Sequence, residues 1–547
     1  MRRIHFLICA CIFSFFACTP NTKNQETRKR PNILLIVADD LGYADLGSFG
    51  GDIDTPNLDE LARKGIRFSR FHASPFCATS RAMFLTGNDN HIAGMGVQGL
   101  TADTVGYEGH LTDRIVPFPA VLKKSGYSTF MSGKWHLGLR PEDNPHQKGF
   151  EHSFVLVESS SNHYSSKGIW KKNPISPYTE DGVETTWNEG DYSTDVYTDK
   201  LISYISESKE ENRPFFGFAA YTSPHWPLQV DEKYWKKYEG RYDDGYEVLK
   251  EKRFESLKKA WMIPENAVLP PSHPRVKAWD SLSPEEQKKE ARKMELYSGM
   301  VDNLDYNIGR LITHLKEIGE YENTLIVFMS DNGAAAEDFY YNDGVGPFLR
   351  ERYTDNYEDM GKVNSYIAYG PQWAEAGSSP FKYYKGFTTE GGMNVPMIIS
   401  GPGVANQGSI NDSFFTLLDL APTFYEVSET TYPNDWNGKE VKPLLGASLL
   451  PVLTGEAQFI HSEDYVFGME HGGDAMLRKG KWKILNVDYP FQIENFALYD
   501  LSTDLAEQVD LKDQNPEKYQ EMLAEWEKWS QNVGVILPTP RSQKSDE

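Results

Sequence analysis

Short, mainly apolar runs recur along the chain. They lie at residues 33–37, 128–131, 215–219, 325–329 and 395–399. Continuous apolar runs of this length are typical of parallel strands that are covered on both faces. The pattern therefore predicts an α/β fold built on a large mixed, mainly parallel sheet.

Polar residues of chemical interest follow four of these runs. In chain order they are Asp39, Asp40, Lys134, His136, His225, Asp331 and Asn332. In open α/β sheets the ligand site lies beyond the carboxyl ends of the strands. We therefore expect these side chains to meet at one edge of the sheet and to form a single site.

Helices fit between the predicted strands. Thr55-Pro56 begins one that ends at Gly65, and a long one is predicted over 294–318. The polar segment 231–293 is predicted as a surface insertion. A second insertion, 335–380, either walls a substrate cleft or is a solvated loop.

Four segments follow from these patterns. They are an export signal and tether at 1–30, a catalytic domain at 31–455, a C-terminal α+β domain at 456–540, and a tail at 541–547. The C-terminal pattern contains antiparallel strands and an amphipathic helix at 515–529.

The first segment resembles a bacterial lipoprotein signal. Arg2 and Arg3 precede an apolar stretch over 6–17 that is too short to span a membrane, and Cys18 is the candidate lipidated residue. We expect an exported protein, periplasmic or on the cell surface, that is anchored by lipid through Cys18. Plain secretion is the alternative.

Charge limits the partners. Of the 547 residues, 56 are Lys or Arg and 79 are Asp or Glu, giving a formal net charge of −23. This charge argues against a nucleic-acid partner. An acidic protein that binds an anion needs local positive charge, for which a metal ion, Arg81, Lys134 and Lys385 are candidates.

Two acidic motifs predict a metal site. Asp39-Asp40 and Asp331-Asn332 together supply three carboxylates and one amide oxygen. Hard oxygen ligands of this kind suit Ca²⁺ or Mg²⁺ rather than zinc, which prefers His and Cys.

Cys77 stands apart from the other cysteines. The four are Cys9, Cys11, Cys18 and Cys77. Because the first three lie in the predicted export segment, Cys77 has no expected disulfide partner. A lone thiol in an oxidising compartment is a liability unless chemistry consumes it. Arg81 lies one turn into the helix predicted after Cys77, so a reactive thiol is one interpretation.

Four further strings decide between the interpretations. Phe76-Cys77-Ala78-Thr79-Ser80-Arg81, Gly133-Lys134-Trp135-His136, Pro224-His225-Trp226-Pro227 and Lys385-Gly386 with Glu390-Gly391-Gly392 resemble motifs of the formylglycine-dependent (type I) sulfatases, in particular the bacterial arylsulfatases. The resemblance runs from about residue 31 to beyond Leu501. It implies the alkaline phosphatase-like sandwich fold and hydrolysis of aryl or carbohydrate sulfate esters.

The resemblance also implies cofactors. Cys77 would be converted to formylglycine (3-oxoalanine) by a maturation enzyme. One divalent cation, with Ca²⁺ favoured over Mg²⁺, would be held by Asp39, Asp40, Asp331, Asn332 and residue 77. Two-metal members of the superfamily carry His at the position of Asn332, so the asparagine indicates one metal.

The resemblance assigns the remaining roles. A hydroxyl of the aldehyde hydrate at residue 77 attacks sulfur, with Asp39 removing its proton and Arg81 holding the hydrate. Lys134 and Lys385 bind the sulfate oxygens. In the same scheme the acid that protonates the departing alcohol is His225, and the base that deprotonates the second hydroxyl is His136.

One residue departs from the family pattern. Thr79 occupies a position where the family usually has Pro or Ala, in the segment that maturation enzymes read. If Thr79 prevents maturation, the protein is a non-catalytic lipoprotein that binds sulfated glycans. Because sulfate and phosphate esters share geometry, a phosphodiesterase or phosphonate hydrolase of the same superfamily is a second alternative, against which Asn332 argues. Asn162, His163 and Tyr164 are candidate specificity residues for a substrate that the sequence does not identify.

Overall fold

A computed structural model of the chain describes residues 30–188 and 190–537. The predicted lipidation site Cys18, the tail 541–547 and all but the last residue of the predicted signal and tether lie outside these residues. Within them, no helix combines the length and the apolar character needed to cross a membrane.

The strands are short and distributed along the whole described chain. They are β1 (Asn32–Ala38), β2 (Ile66–His72), β3 (Ser128–Lys134), β4 (His152–Leu156), β5 (Lys167–Trp170), β6 (Asn173–Ile175), β7 (Tyr178–Glu180), β8 (Val183–Thr185), β9 (Phe215–Ala220), β10 (Thr324–Ser330), β11 (Asn394–Ser400), β12 (Ile410–Asn411), β13 (Phe415–Thr416), β14 (Asp435–Trp436), β15 (Lys439–Glu440), β16 (Val466–His471), β17 (Asp474–Lys479), β18 (Trp482–Asn486) and β19 (Ala497–Asp500).

Helices separate most of these strands. They are α1 (Pro56–Lys64), α2 (Cys77–Thr86), α3 (Asn90–Ala93), α4 (Phe118–Lys124), α5 (Ser193–Glu210), α6 (Glu232–Trp235), α7 (Tyr246–Lys259), α8 (Pro284–Glu317), α9 (Gly346–Arg352), α10 (Gly370–Gly377), α11 (Glu390–Met393), α12 (Leu420–Val427), α13 (Leu450–Leu453) and α14 (Pro516–Val533).

The large sheet confirms the predicted fold class. It has eleven strands in the order β12-β2-β11-β10-β1-β9-β3-β4-β7-β8, with β13 beside β2. Neighbouring strands from β10 to β4 are parallel. Leu34 and Ile36 of β1 face one hydrophobic core, while Leu35 and Val37 face a second core on the other side. Burial on both faces explains why the run is apolar at every position.

Both predicted helices are present, but the predicted start of the longer one is wrong. Helix α1 lies where Thr55-Pro56 and Gly65 predicted it. Helix α8 begins ten residues before the predicted start of 294, because Ser283 and Glu286 form a capping box at its amino end.

The segment 231–293 is exposed over much of its length, as its composition predicted, but part of it packs inward. Its aromatic residues Tyr242, Tyr246 and Trp279 are buried and pack around Trp373. The second insertion also packs inward. Its buried Tyr340, Tyr353 and Tyr366 form a small core with Trp226, the residue after His225. The structure therefore favours the cleft-wall interpretation of 335–380.

A four-stranded antiparallel sheet, in the order β16-β17-β18-β19, follows the large sheet in the chain. Helix α14 packs on it through Met522 and Trp526, which share a core with Leu477 and Leu498. The predicted antiparallel strands correspond to β18 and β19, and the predicted helix to α14. Strands β16 and β17 were not predicted.

Candidate active site

Parallel strands deliver the acidic motifs to one edge of the large sheet. Ala38 of β1 pairs with Ser330 of β10, so Asp39 and Asp331 follow side by side. Lys134 is the last residue of β3, which runs parallel to its neighbours. The predicted meeting of these side chains at the carboxyl ends of the strands is what the structure shows.

Lys385 reaches the same edge by a different route. The run 395–399, predicted with the parallel strands, is antiparallel to β10. The amino end of β11 therefore lies where the parallel strands have their carboxyl ends. Because Lys385 precedes β11, its Nζ donates to both carboxylate oxygens of Asp40 at 2.8 Å.

Cys77 is the first residue of α2, after Phe76 in an extended conformation. The helix ends at Gly87, whose φ of 65° a glycine adopts without strain. The Sγ of Cys77 lies 3.5 Å from Oδ1 of Asp40. Burial raises the pKa of the thiol well above its ordinary value, although Lys134 and Lys385 oppose the shift. The unmodified thiol is therefore protonated and a poor nucleophile.

Thr79 is accommodated beneath the start of α2. Its hydroxyl donates to the carbonyl of Phe76 at 2.9 Å and lies 2.5 Å from the hydroxyl of Ser74. The side chain is fully buried. The residue that departs from the family pattern thus closes the turn before the helix.

Arg81 fixes the centre of the site. Its Nη2 and Nε donate to Oδ2 of Asp331 at 2.8 and 3.1 Å, and its Nη1 donates to the carbonyl of Lys134 at 2.7 Å. Burial disfavours the charged form, but Asp331 and Asp39 together raise the pKa of Arg81. The guanidinium therefore stays charged and links α2 to β3 and β10.

We call the buried charged residues at this edge the edge cluster. Its members are Asp39, Asp40, Arg81, Lys134, Asp331 and Lys385, and each is at most 4 % exposed. The Nζ of Lys134 lies 2.8 and 2.7 Å from the two carboxylate oxygens of Asp39. Burial opposes ionisation of Asp40, yet the charges of Lys385, His225 and Lys134 lower its pKa overall.

Asp331 is less readily ionised than Asp40. Burial and the charge of Asp39 raise the pKa of Asp331 to about 6, against the attraction of Arg81. Its Oδ1 accepts the backbone N–H of Asp40 at 3.2 Å. The carboxylates of Asp39 and Asp331 repel each other, and a bound cation would relieve that repulsion.

The cluster fits a hard divalent cation. Asp39, Asp40, Cys77 and His225 offer ligand atoms that all lie within 4.8 Å of one another. Asn332 donates from Nδ2 to Asp40 at 2.6 Å, and its buried Oδ1 has no hydrogen-bond partner. Buried Asn88 also has an unpartnered Oδ1. An unpartnered amide oxygen alone therefore does not identify a ligand. Asn332 is a suitable ligand for Ca²⁺ or Mg²⁺ because carboxylates surround it.

One ring nitrogen of His225 is fixed by the backbone, and the other faces Asp40. Nδ1 of His225 donates to the carbonyl of Trp226 at 2.7 Å, and its Nε2 lies 3.3 Å from Oδ2 of Asp40. Burial lowers the pKa of His225 to about 3, Asp40 opposes this shift, and Lys385 adds to it.

His136 has a backbone φ of 61° and a buried Nδ1 without a partner. Burial and the charges of Lys134 and Arg81 lower its pKa well below the ordinary value. It is therefore neutral, and it becomes a stronger base only when negative charge binds nearby. A non-glycine residue held at positive φ is a feature that clusters at functional sites.

Glu337 is a neighbour of the site that the sequence analysis missed. Burial raises its pKa, with Lys385 opposing and Asp40 adding to the shift, and its buried Oε2 has no hydrogen-bond partner. Its only signal in the sequence is an acidic residue at the end of the small-residue string Gly333-Ala334-Ala335-Ala336.

Asn162 and His163 lie behind the site. Asn162 donates to the carbonyl of Val363 at 2.6 Å. His163 donates from Nε2 to the carbonyl of His225 at 3.1 Å, while its Nδ1 lies 2.8 Å from Ser193 Oγ. Both are 1 % exposed. His163 thus holds the His225 loop in place, and Asn162 holds the segment at Val363, whereas Tyr164 lines a separate cavity of 1330 Å³.

Sequence comparisons agree with this geometry. The family model described as Sulfatase matches residues 31–429, and the model of the N-sulphoglucosamine sulphohydrolase C-terminal region matches 381–532. The chain belongs to the sulfatase family. It is therefore a sulfuric ester hydrolase of the alkaline phosphatase superfamily, as the motifs predicted.

Curated relatives cover most of this sulfatase. An uncharacterised sulfatase of Schizosaccharomyces pombe is 38% identical over 530 residues, which are 94% of this chain and 95% of the relative. An arylsulfatase of Klebsiella aerogenes is 37% identical over 435 residues, 77% of this chain and 92% of the relative.

A solved structure supports the fold. The crystal structure of Ps i-CgsB in complex with k-i-k-neocarrahexaose superimposes with a TM-score of 0.66 at 25% identity. The match covers 92% of this chain and 93% of that chain. The large mixed sheet with a smaller C-terminal antiparallel sheet is thus the sulfatase fold.

Proposed function

We propose that this sulfatase uses formylglycine, made from Cys77, as the source of its nucleophile. The observation that carries the proposal is the position of Cys77 at the start of buried α2, 3.5 Å from Asp40. Its thiol has a raised pKa and is a poor nucleophile as it stands. The aldehyde, once hydrated, would supply an oxygen nucleophile and would be recovered when sulfate leaves.

We propose Ca²⁺ as the resident cation, with Mg²⁺ as the alternative. Asp39, Asp40, Asp331, Asn332 and an oxygen of residue 77 would hold it. When bound, it would withdraw electron density from a sulfate oxygen. The unpartnered Oδ1 of Asn332 and the raised pKa of Asp331 support a cation at this place.

Two lysines would bind the sulfate group. The Nζ atoms of Lys134 and Lys385 lie within 2.8 Å of the carboxylates of Asp39 and Asp40. Their ammonium groups provide the local positive charge that an acidic protein needs to attract an anion. Charge that develops on the sulfate oxygens in the transition state would be stabilised by the same groups.

Asp39 and Arg81 would act on the nucleophile. Arg81 Nη2 lies 3.9 Å from Asp39 Oδ1, so the guanidinium and the carboxylate border the same space. Asp39 would take the proton from the attacking hydroxyl of residue 77. Arg81 would hold that hydroxyl in place and balance its developing charge.

The histidines would move protons on either side of the reaction. Because Nδ1 of His225 is fixed by Trp226, Nε2 is the atom that would give a proton to the departing alcohol. An arriving sulfate adds negative charge and raises the pKa of His225 toward the value that an acid needs. His136, which is neutral, would accept the proton that accompanies sulfate release.

The substrate is proposed as an aryl or carbohydrate sulfate. The arylsulfatase name of the Klebsiella aerogenes relative supports the first class. The structural neighbour in complex with k-i-k-neocarrahexaose supports the second. Side-by-side assays with an aryl sulfate and an aryl phosphate diester would exclude the phosphodiesterase alternative if the sulfate is cleaved faster.

We propose that the enzyme is exported, anchored through Cys18 and matured by a formylglycine-generating enzyme. Among the described residues Cys77 is the only cysteine and is free. That arrangement suits an oxidising compartment, where a second thiol would compete through disulfide formation. Radiolabelled fatty acid on the mature protein, lost in Cys18→Ala, would support the anchor.

Mass spectrometry of the peptide containing residue 77 tests the main proposal. The protein is made in its native host or together with a maturation enzyme. A mass about 18 Da below that of the cysteine peptide is expected for the aldehyde. An unmodified thiol in protein that still hydrolyses sulfate esters would overturn it. An unmodified, inactive protein that binds sulfated glycans would favour the binding-lipoprotein alternative.

A further inference from the structure

Several partly exposed residues adjoin the edge cluster. The charged side chains of the cluster are at most 4 % exposed. Phe76, Gly386, Gln98 and His471 adjoin them and are partly exposed. The alcohol part of a bound sulfate ester has to extend from the buried lysines toward partly exposed residues, and these four are among them.

Three of these residues form one continuous structure, which we call the mouth wall: Phe76, Gln98 and His471. The rings of Phe76 and His471 stack with centroids 3.8 Å apart and planes at 24°. Nε2 of His471 accepts the backbone N–H of Gln98 at 2.9 Å. Oε1 of Gln98 accepts the N–H of Ala78 at 3.0 Å, in the first turn of α2.

The mouth wall extends from the nucleophile toward the sulfate-binding lysine. Phe76 precedes Cys77 in the chain. A Cβ built on Gly386, the residue after Lys385, would lie 3.8 Å from Cζ of Phe76. Phe76 therefore lies beside both Cys77 and the segment that carries Lys385.

His471 comes from the C-terminal sheet. It ends β16, at the turn into β17, where Gly472 and Gly473 have φ values of 64° and 106°. Glu470 accepts the N–H of Gly473 at 2.7 Å and bonds to His91 at 3.1 Å. The turn is thus fixed against the catalytic domain, which brings His471 to the site with a defined orientation.

The hydrogen bond that the backbone N–H of Gln98 donates determines which ring nitrogen of His471 carries the proton. A backbone N–H always donates, so Nε2 carries a lone pair and the proton of the neutral ring is on Nδ1. The wall therefore combines stacked ring surface with a hydrogen-bond donor. Such a surface suits a flat ring that carries an oxygen acceptor, which describes both an aryl sulfate and a sulfated pyranose.

We infer that the mouth wall binds the alcohol part of the substrate, and that His471 makes the C-terminal sheet a determinant of specificity. This inference rests on the proposed function. The sulfate group itself would be bound by the edge cluster. Changes in the wall should therefore alter recognition of the alcohol and leave recognition of sulfate intact.

The experiment compares His471→Ala, His471→Phe and His461→Ala in full-length matured enzyme. His461 is a matched control because it also stacks, on Tyr465 at 3.6 Å, and bonds to Asp419. KM and kcat are measured with 4-nitrophenyl sulfate and with N-acetylglucosamine 6-sulfate, and Ki is measured for inorganic sulfate.

We expect His471→Ala to raise KM by roughly 3- to 10-fold for the preferred substrate, with Ki for inorganic sulfate within about twofold of wild type. His471→Phe keeps a ring but removes the donor. It should restore KM for the aryl sulfate and not for the sugar sulfate. His461→Ala should leave all three constants unchanged, even if its melting temperature falls.

Three results would overturn the inference. KM and Ki could rise together, which would place His471 in sulfate binding. Only kcat could fall, which would make His471 a positioning residue for α2 through Gln98. All constants could stay unchanged, which would leave the wall without a role. If wild-type enzyme cleaved neither sulfate ester, the proposed function would fail instead, so the two failures are distinguishable.

Discussion

Two buried clusters of charged residues in this molecule have different roles. The first is the edge cluster at the active site. The second, which we call the domain-joining network, consists of His72, Glu390, Lys483 and Glu507. Nζ of Lys483 lies 2.8 Å from Glu390 and 2.6 Å from Glu507. Nε2 of His72 lies 2.7 Å from Glu390, and the backbone N–H of Glu390 donates to Glu507 at 2.9 Å.

The difference lies in what is left unpaired. In the domain-joining network three of the four carboxylate oxygens accept a hydrogen bond, and the fourth, Oε1 of Glu507, lies 2.6 Å from the ammonium group of Lys483 in an ion pair. Beside the edge cluster, Asn332 Oδ1 and His136 Nδ1 are buried without a hydrogen-bond partner. Buried charge alone thus does not mark an active site, because it also serves structure. Unused bonding capacity beside crowded carboxylates is the more specific sign.

Removing the nucleophile should have the largest effect. Cys77→Ala removes the precursor of formylglycine and nothing from the domain-joining network. We expect kcat on an aryl sulfate to fall on the order of a million-fold, to the limit of detection. The melting temperature should change little, since the substitution is small. Measurable turnover by the pure variant would contradict the proposed nucleophile.

Lys483→Met tests the domain-joining network. It leaves Glu390 and Glu507 buried without their cation, so we expect the free energy of unfolding to fall by about 3–5 kcal/mol. Lys481→Met is the matched control, because Lys481 is 49% exposed in its pair with Asp500 and should cost less than about 1 kcal/mol. Denaturant titration measures both. Turnover per folded molecule should persist in Lys483→Met, and its loss would mean that the network also serves catalysis.

Lys385→Met makes the corresponding change in the edge cluster. We expect kcat/KM to fall by about 10²–10³, because one charge that stabilises the sulfate in the transition state is lost. Any loss of melting temperature should be recovered by excess Ca²⁺, since a cation can replace the ammonium beside Asp40. Calcium should not recover the stability of Lys483→Met. Equal rescue of both variants would remove the distinction between the clusters.

Asn332→Ala isolates the cation site. We expect the Ca²⁺ concentration that gives half-maximal thermal stabilisation to rise by at least about ten-fold, because an oxygen ligand is lost. Asn88→Ala is the control, since Asn88 has the same unpartnered buried oxygen. A shift in calcium dependence in the control as large as in Asn332→Ala would argue against the assigned ligand.

The sequence predicted the site where local pattern determines geometry. Asp39 and Asp331 were placed together because parallel strands in register end at one edge. Lys385 was predicted from a motif. The strand that follows it, β11, was predicted to be parallel to its neighbours and is antiparallel to β10, because an apolar run does not show in which direction a strand runs. His471 was missed because it contacts Gln98 across 373 residues, through a hairpin whose packing no local pattern contains.

A third buried ion cluster should give the smallest effect, seen in the dependence of stability on pH. His91 lies 2.9 Å from Asp89 and 3.1 Å from Glu470; burial lowers the pKa of His91, but the hydrogen bonds that its ring donates to both carboxylates raise it to about 9. The folded pKa exceeds the unfolded value of about 6.5. The stabilisation is therefore complete below pH 6.5 and is lost as pH rises through about 9.

His91→Gln should remove this component of the pH dependence. Between pH 6.5 and about 9 the free energy of unfolding of wild type should fall with a slope below about 1.4 kcal/mol per pH unit. The variant should start lower and vary less over the same interval. Parallel curves for wild type and His91→Gln would show that His91 is neutral in the folded protein.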